Sequence, residues 1–374
     1  MLVKEIKAKS VLRKSKKVDS WFLIKYGMNL YRGCAHNCVY CDGRSEGYYV
    51  DGKFGEEVSV KINAIDILKR ELDSKRKKTP LKHYFVGLSG GVGDSYQPLE
   101  KKYKLTRRAL ELLYEKKFPV HILTKSTLVE RDIDLIKKIN LQTRAIVSFS
   151  FSSVNDEISS FFEPGVPAPE DRLKTLSKFK KEGIYCGMYL MPVIPFITDT
   201  PRVMEDSIKK ASETKLDFIV FAGMTLKEGR QKEYFIKKLE EKFPEYLPHY
   251  ENIYLKNKWG SPTDEYYGYI NQTFNLLSRK YKMPRRIPAN LYRDILDEND
   301  LVAVILEQLD YLAKLEGKPS PYGYAAYSIS KLNEPISGMK NKLRNIKGVG
   351  KVTESIIKEI LRTGSSSYYE KLLE

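Results

Sequence analysis

Cysteine is scarce in this 374-residue chain: four in all, and three of them, Cys34, Cys38 and Cys41, fall within eight residues. So uneven a placement excludes a disulfide framework and, in a reducing compartment, reads as a set of metal ligands. Long apolar runs are missing as well. No stretch approaches the roughly 20 residues needed to span a bilayer. The N-terminal MLVKEIKAKSVLRKSKK is basic but lacks the apolar block of a signal peptide. The expectation is a cytoplasmic protein with no membrane partner. Internal repeats and low-complexity tracts are also lacking, which sets repeat architectures aside. Acidic charge is in deficit, 48 Asp+Glu against 65 Lys+Arg, a net +17. That balance suits a polyanionic partner, nucleic acid first among them, and equally a lysine-rich chain with solvated helix faces.

What is present is an alternation. Short apolar runs read as buried strands: HYFVGL (83–88), VHILT (120–124), AIVSFSF (145–151), IYCGMYLM (184–191) and FIVFAG (218–223), with GMNLYRG (27–33) a weaker first strand. Amphipathic segments lie around them at 60–72, 105–116, 130–139, 170–183 and 203–213, their apolar residues spaced three and four apart. Six βα units in a row predict an α/β fold, a partial (β/α)6 TIM-type barrel with its helices outside. Past Thr225 the chain turns strongly charged and helical, predicting a helical C-terminal extension. The predicted divisions are 1–225, 226–325 and 326–374.

The cysteine spacing is C-x3-C-x2-C. Zinc wants four ligands, and His36 or Cys186 would have to supply the fourth. A four-iron cluster with three protein ligands fits better and leaves one iron open for chemistry. In parallel βα barrels, active sites gather at the C-terminal ends of the strands. The cysteine loop follows the first predicted strand, GGVGD (90–94) the second, and Lys125 the third, while Ser150 and Ser152 end the fourth. Special and polar residues thus fall on one rim. The glycines there would let backbone approach a ligand.

C-x3-C-x-Φ-C, with Tyr40 before the last cysteine, resembles the signature of the radical S-adenosylmethionine (radical SAM) superfamily. The stretches KSVLRKS (9–15), NLYRGCAHNCVYCDGR (29–44), GDSYQPLEKKYKLTRRALELL (93–113), ILTKSTLVERDIDLI (122–136), SFSFSSVNDEISSFFEPGVPAPEDRL (148–173) and MPVIPFITD (191–199) resemble its spore photoproduct lyase-like branch, the DNA repair photolyase homologues. The resemblance implies a [4Fe-4S] cluster on Cys34, Cys38 and Cys41 and S-adenosylmethionine as second cofactor. Tyr40 would lie beside the adenine. Lys125 and Ser150 would contact the cofactor, with Gly91, Gly93 and Asp94 on the neighbouring strand. It also implies a 5′-deoxyadenosyl radical acting on DNA, and an electron donor such as ferredoxin or flavodoxin; the alternatives are a radical enzyme acting on RNA or a small metabolite, and a non-catalytic iron–sulfur DNA-binding protein. Two departures matter. True lyases carry a hydrogen-donating cysteine where this chain has Gly91, and a tyrosine where it has Asp42. Cys186 or Tyr96 could take the donor's place.

The tail LRNIKGVGKVTESIIKEILRTG (343–364) resembles a helix-hairpin-helix element. Gly348 and Gly350 would expose backbone N–H groups at a helix N-terminus to cradle a phosphate, with Lys347 and Lys351 as counter-charges. Val352, Ile356, Ile357 and Ile360 are expected on one apolar face. RKYKMPRRIP (279–288), mixing basic and aromatic residues, is expected to extend that surface.

Overall fold

A computed structural model of the chain describes residues 1–48, 52–75, 80–88, 92–255, 259–339 and 342–373. Its strands are β1 (Leu2–Ile6), β2 (Leu12–Lys14), β3 (Tyr26–Met28), β4 (Tyr31–Arg32), β5 (Glu57–Lys61), β6 (Val86–Leu88), β7 (Val120–Thr124), β8 (Ala145–Phe151), β9 (Tyr185–Val193) and β10 (Phe218–Gly223). Strands β3, β6, β7, β8, β9 and β10 lie side by side in that order, all parallel. This is the six-stranded partial barrel, and β2 closes its first edge antiparallel to β3. Its strands are near-continuous apolar runs because both faces are covered; every residue of β8 is buried. A separate three-stranded sheet, β1-β5-β4, flanks the cysteine loop.

The helices are α1 (Ala64–Glu71), α2 (Glu100–Tyr103), α3 (Leu105–Glu115), α4 (Ile133–Gln142), α5 (Asp156–Phe162), α6 (Pro169–Lys181), α7 (Pro201–Glu213), α8 (Arg230–Lys242), α9 (Leu247–Ile253), α10 (Asp264–Lys280), α11 (Glu298–Leu315), α12 (Tyr322–Ile329), α13 (Lys351–Thr363) and α14 (Ser367–Leu373). The stretch 60–72, expected to be helical throughout, divides. Its first residues finish β5, and the helix begins only at Ala64.

The barrel's two ends are closed differently. At the N-terminal end of the strands, residues 19–24 form a plug. Phe22 stacks on Tyr189, its carbonyl meets Nδ1 of His121 at 2.6 Å, and Ile24 packs where Gly87 has no side chain. Below the plug sit the C-terminal helices. Gln308 of α11 donates to the Ser20 carbonyl (3.1 Å), and the backbone N–H of Asp297 donates to the Tyr84 hydroxyl (3.1 Å). At the C-terminal end, α8 and α9 form a second apolar core with the cysteine loop. It joins Val39 and Tyr40 to Phe162, Met224, Phe235 and Tyr250. No helix among the described residues is long and apolar enough to cross a membrane.

Arg285 and Arg286 do not extend a basic surface. Both are fully buried. The Arg286 guanidinium lies between the rings of Trp21 (4.0 Å) and Tyr311 (3.3 Å), where it pins the C-terminal helices to the plug.

Candidate functional site

The cysteine loop is held from every side. Gly33, at φ 82°, turns the chain out of β4. Gln97 then brackets the turn: its amide oxygen accepts from Ala35 N (3.0 Å) and its Nε2 donates to the Gly33 carbonyl (3.3 Å). Arg44 reaches back into the loop, Nε to the Cys38 carbonyl (3.1 Å) and Nη2 to the carbonyl and side chain of Asn37. Its guanidinium stacks 3.6 Å above Tyr234 of α8. Val39 N donates to the Phe162 carbonyl at 2.8 Å. Gln231 donates to the Tyr40 carbonyl and to Asp42, which also accepts from Thr225 (2.7 Å) and Lys227 (3.1 Å). Cys34 and Cys38 are buried, Cys41 is half-buried, and all three are free of disulfides. Burial, reinforced by Asp94, pushes the Cys34 thiol up to about 12. Burial likewise raises Cys38 and Cys41. Metal-free, these are protonated thiols, so loading a cation or cluster releases protons.

Beside the loop lies a carboxylate hub that sequence reasoning missed. Glu163, in the turn after α5, is fully buried. Its Oε1 accepts from the Tyr40 hydroxyl and from Lys125 Nζ (3.1 Å); its Oε2 takes Arg172 (2.8 Å) and Ser159 (3.2 Å). Burial alone would raise the carboxyl. Lys125, Arg172 and the Tyr40 hydroxyl outweigh it and hold Glu163 well below the usual carboxylate range. Lys125 also donates to Ser150 Oγ (2.7 Å), which donates in turn to the Met191 carbonyl (2.9 Å). Arg172 secures the Ser150 carbonyl at 2.8 Å. One signal for this hub was present in the sequence. Arg172 falls on the buried stripe of α6, in register with Leu176 and Phe179, where an unpaired charge would be costly.

Of the expected residues, the structure therefore brings together Cys34, Cys38, Cys41, Tyr40, Lys125 and Ser150. Asp94 joins them as a brace: it accepts from Thr124 Oγ1, from the backbone N–H of Lys125 (2.8 Å) and from that of Tyr96 (2.8 Å), with His36 at 3.5 Å. Gly93 lies against the Gly33 carbonyl, 3.6 Å from where a Cβ would stand. Gly91 lies outside the described residues. Cys186 is not brought to the rim, and Tyr96, though two residues past Asp94, turns its side chain into the core. Cys186 sits at the opposite end of β9, its thiol turned outward to the carbonyls of Ile184 and Leu176. Tyr96 is fully buried and gives its hydroxyl to Asp132 (3.1 Å). Zinc's possible fourth ligands go elsewhere too, Cys186 to the far end and His36 to Asp94.

At the C-terminus, Gly348 adopts φ 86° and packs so closely on α12 that a Cβ would stand 2.8 Å from Ala325 N. Gly350 caps α13 with nothing within 4 Å, and Lys347 and Lys351 are exposed beside it. Two expectations need correcting. A single 3-10 turn, Leu343–Asn345, precedes the hairpin instead of a helix, so α12 supplies the packing partner. Val352 is exposed, because the buried stripe of α13 runs Thr353, Ile356, Ile357, Ile360 and position 352 falls off it.

A family model for the radical SAM superfamily matches residues 28–224, more than half the chain. The chain belongs to the radical SAM superfamily. A second model, a helix-hairpin-helix domain, matches residues 297–366. An uncharacterized protein of Methanocaldococcus jannaschii is 31% identical, the alignment covering 68% of this chain and 87% of that protein. One of Mycobacterium tuberculosis is 28% identical over 75% and 81%. Among solved structures, spore photoproduct lyase complexed with dinucleoside spore photoproduct shares the fold at TM-score 0.56 and 16% identity, over 75% of this chain and 79% of that one. Superfamily membership implies a [4Fe-4S] cluster and S-adenosylmethionine as the cofactors of this radical SAM protein. Among the described residues no three Cys, His, Asp or Glu side chains already stand as a metal site, but the donor types fit: three free thiols share one loop at the rim, a lysine stands beside it, and Ser152 Oγ, just past β8, is buried without a protein partner.

Proposed function

We propose that this radical SAM protein is an enzyme that repairs or modifies a nucleic-acid base, DNA first. The observation that carries the reading is one loop of three disulfide-free cysteines whose Tyr40 ring lies under Lys125, itself bonded to Ser150, at the C-terminal rim of the barrel. Cys34, Cys38 and Cys41 would hold the cluster. Lys125 and Ser150 would take the carboxylate end of S-adenosylmethionine, with Tyr40 near the adenine and Gly93 and Asp94 shaping the adjoining strand end. Once bound, the two cofactors together supply a 5′-deoxyadenosyl radical. The chain's own part is to orient the cofactor through Lys125, to keep water from the thiols by the apolar cover of α8 and α9, and to hold the loop still through Arg44 and Gln97.

Support for a nucleic-acid substrate comes from both ends of the molecule. A protein of the same fold is solved with a dinucleoside spore photoproduct. This chain also carries a helix-hairpin-helix domain, in which Lys347, Gly348, Gly350 and Lys351 would hold a phosphate backbone. A base inside a duplex must leave the stack to reach such a rim. With Cys186 at the far end of β9, the chain offers no fourth thiol there, so its chemistry differs from a cysteine-quenched lesion reversal. The proposed divisions are a catalytic unit at 1–225, a helical extension at 226–325 and the hairpin unit at 326–374, with ferredoxin or flavodoxin as electron donor.

The test is anaerobic reconstitution, dithionite reduction and chromatography for 5′-deoxyadenosine, with wild type beside Cys38→Ala. Product from wild type alone is expected, and stimulation by damaged or modified DNA above RNA is the expected second result. An intact cluster that yields no product with DNA, RNA or neither would refute the enzymatic reading.

A further inference from the structure

We propose that Glu163 is a built-in stand-in for the cofactor's carboxylate: it holds Lys125 in the free protein and releases it when S-adenosylmethionine binds. The inference rests on the reading above, in which Lys125 receives that carboxylate. Glu163 accepts from three donors, Tyr40, Lys125 and Ser159, and is ion-paired with Arg172 as well, which nearly fills the lone-pair sites a carboxylate offers. Three of those partners are locked. The Tyr40 ring and Ser159 are buried. The Arg172 guanidinium is fully buried and tied to the Ser150 carbonyl.

Lys125 is the exception. Its side chain keeps 15% of its surface exposed, whereas Glu163 and Arg172 keep none. Lys125 is therefore the member of the hub that reaches the open side, with the carboxylate behind it. If Lys125 turns to another anion, Glu163 still has a guanidinium and two hydroxyl donors, so its charge stays compensated. Lys125 meanwhile keeps a fixed pivot in Ser150 Oγ at 2.7 Å. A cation shared between a protected carboxylate and an open rim can change partners without leaving either charge buried and unpaired. The consequence is that Glu163 competes with the ligand. It keeps Lys125 from binding other small anions and lowers the affinity for S-adenosylmethionine below what a free lysine would give. Glu163 is a positioning residue, acting on the cofactor only through Lys125.

The experiment measures dissociation constants of the anaerobically reconstituted protein for S-adenosylmethionine and for 5′-methylthioadenosine, which lacks the amino-acid end. Wild type is compared with Lys125→Met, Glu163→Gln and the double variant Glu163→Gln/Arg172→Gln. Lys125→Met should weaken S-adenosylmethionine about tenfold or more and leave 5′-methylthioadenosine unchanged. Glu163→Gln should tighten S-adenosylmethionine about three- to tenfold, again with 5′-methylthioadenosine unchanged. Should the single variant lose its cluster because Arg172 is left unpaired, the double variant, which removes both buried charges, carries the same expectation. If Lys125→Met weakens binding while the Glu163 variants leave it unchanged or weaken it too, the stand-in role is overturned and the Lys125 reading survives. If Lys125→Met leaves S-adenosylmethionine affinity intact, the Lys125 reading falls and takes this inference with it.

Discussion

His121 shows how much one buried side chain can commit. It lies inside the barrel between the plug and β8, with Phe22 O at 2.6 Å from Nδ1 and Ser148 Oγ at 2.9 Å from Nε2. Burial lowers it from 6.5 to about 4, so the folded protein holds it neutral where the unfolded chain would protonate it. Its stabilising contribution is therefore full above about pH 6.5 and fades as pH falls toward 4, by roughly 3 kcal/mol across that window. Denaturant unfolding at pH 7.5 and pH 4.5 should show a larger loss in wild type than in His121→Asn; equal losses would sink this assignment. Other residues were less legible. The cysteines, Tyr40, Lys125 and Ser150 could be read because chemistry-bearing types stood at strand ends. Glu163 was not read, because apart from Ser159 its partners Tyr40, Lys125 and Arg172 come from three other segments, and only the buried position of Arg172 hinted at them.

Among the elements, the cysteine loop depends most on close backbone approach. Gly165, in the turn after α5, donates to the His36 carbonyl at 3.0 Å, and a Cβ there would stand 2.7 Å from the carbonyls of both Ala35 and His36. Neither neighbour is a flexible side chain, so the loop itself must move. Gly165→Ala should lower iron retained per protein after reconstitution by about half or more, at a folding cost of about 1–3 kcal/mol. Gly47→Ala, with nothing within 4 Å, is the control and should bind iron like wild type. Arg44→Met should act in the same direction, because three loop contacts and the stack on Tyr234 go together. Equal iron content in all three variants would show that the cluster organises the loop, not the reverse. The barrel strands were readable at this scale because a strand buried on both faces is a plain apolar run. The predicted first strand, 27–33, splits into β3 of the barrel and β4 of the small sheet, and the flanking strands β1, β2 and β5 were not readable, being short and partly exposed, without a continuous apolar run.

For the whole molecule, the separation of the cysteine rim from the hairpin matters most. The cysteine rim lies at the C-terminal ends of the strands, and the helices carrying the hairpin pack below the plug at their N-terminal ends. The order of elements along the sequence could not reveal this, since the docking is a shared apolar core with contacts between distant segments, such as Arg286 between Trp21 and Tyr311. A nucleic acid held at the hairpin reaches the rim only by running along the side of the barrel. On the proposed function, the hairpin would supply affinity that is independent of base identity, and the rim selection. Lys347→Glu combined with Lys351→Glu should weaken binding of damaged and undamaged DNA by the same factor and flatten the logarithmic salt dependence by about two. Both side chains are exposed, so melting temperature should not move. A loss confined to damaged DNA would instead mean that the hairpin takes part in choosing the substrate, and that the two ends of the barrel are coupled.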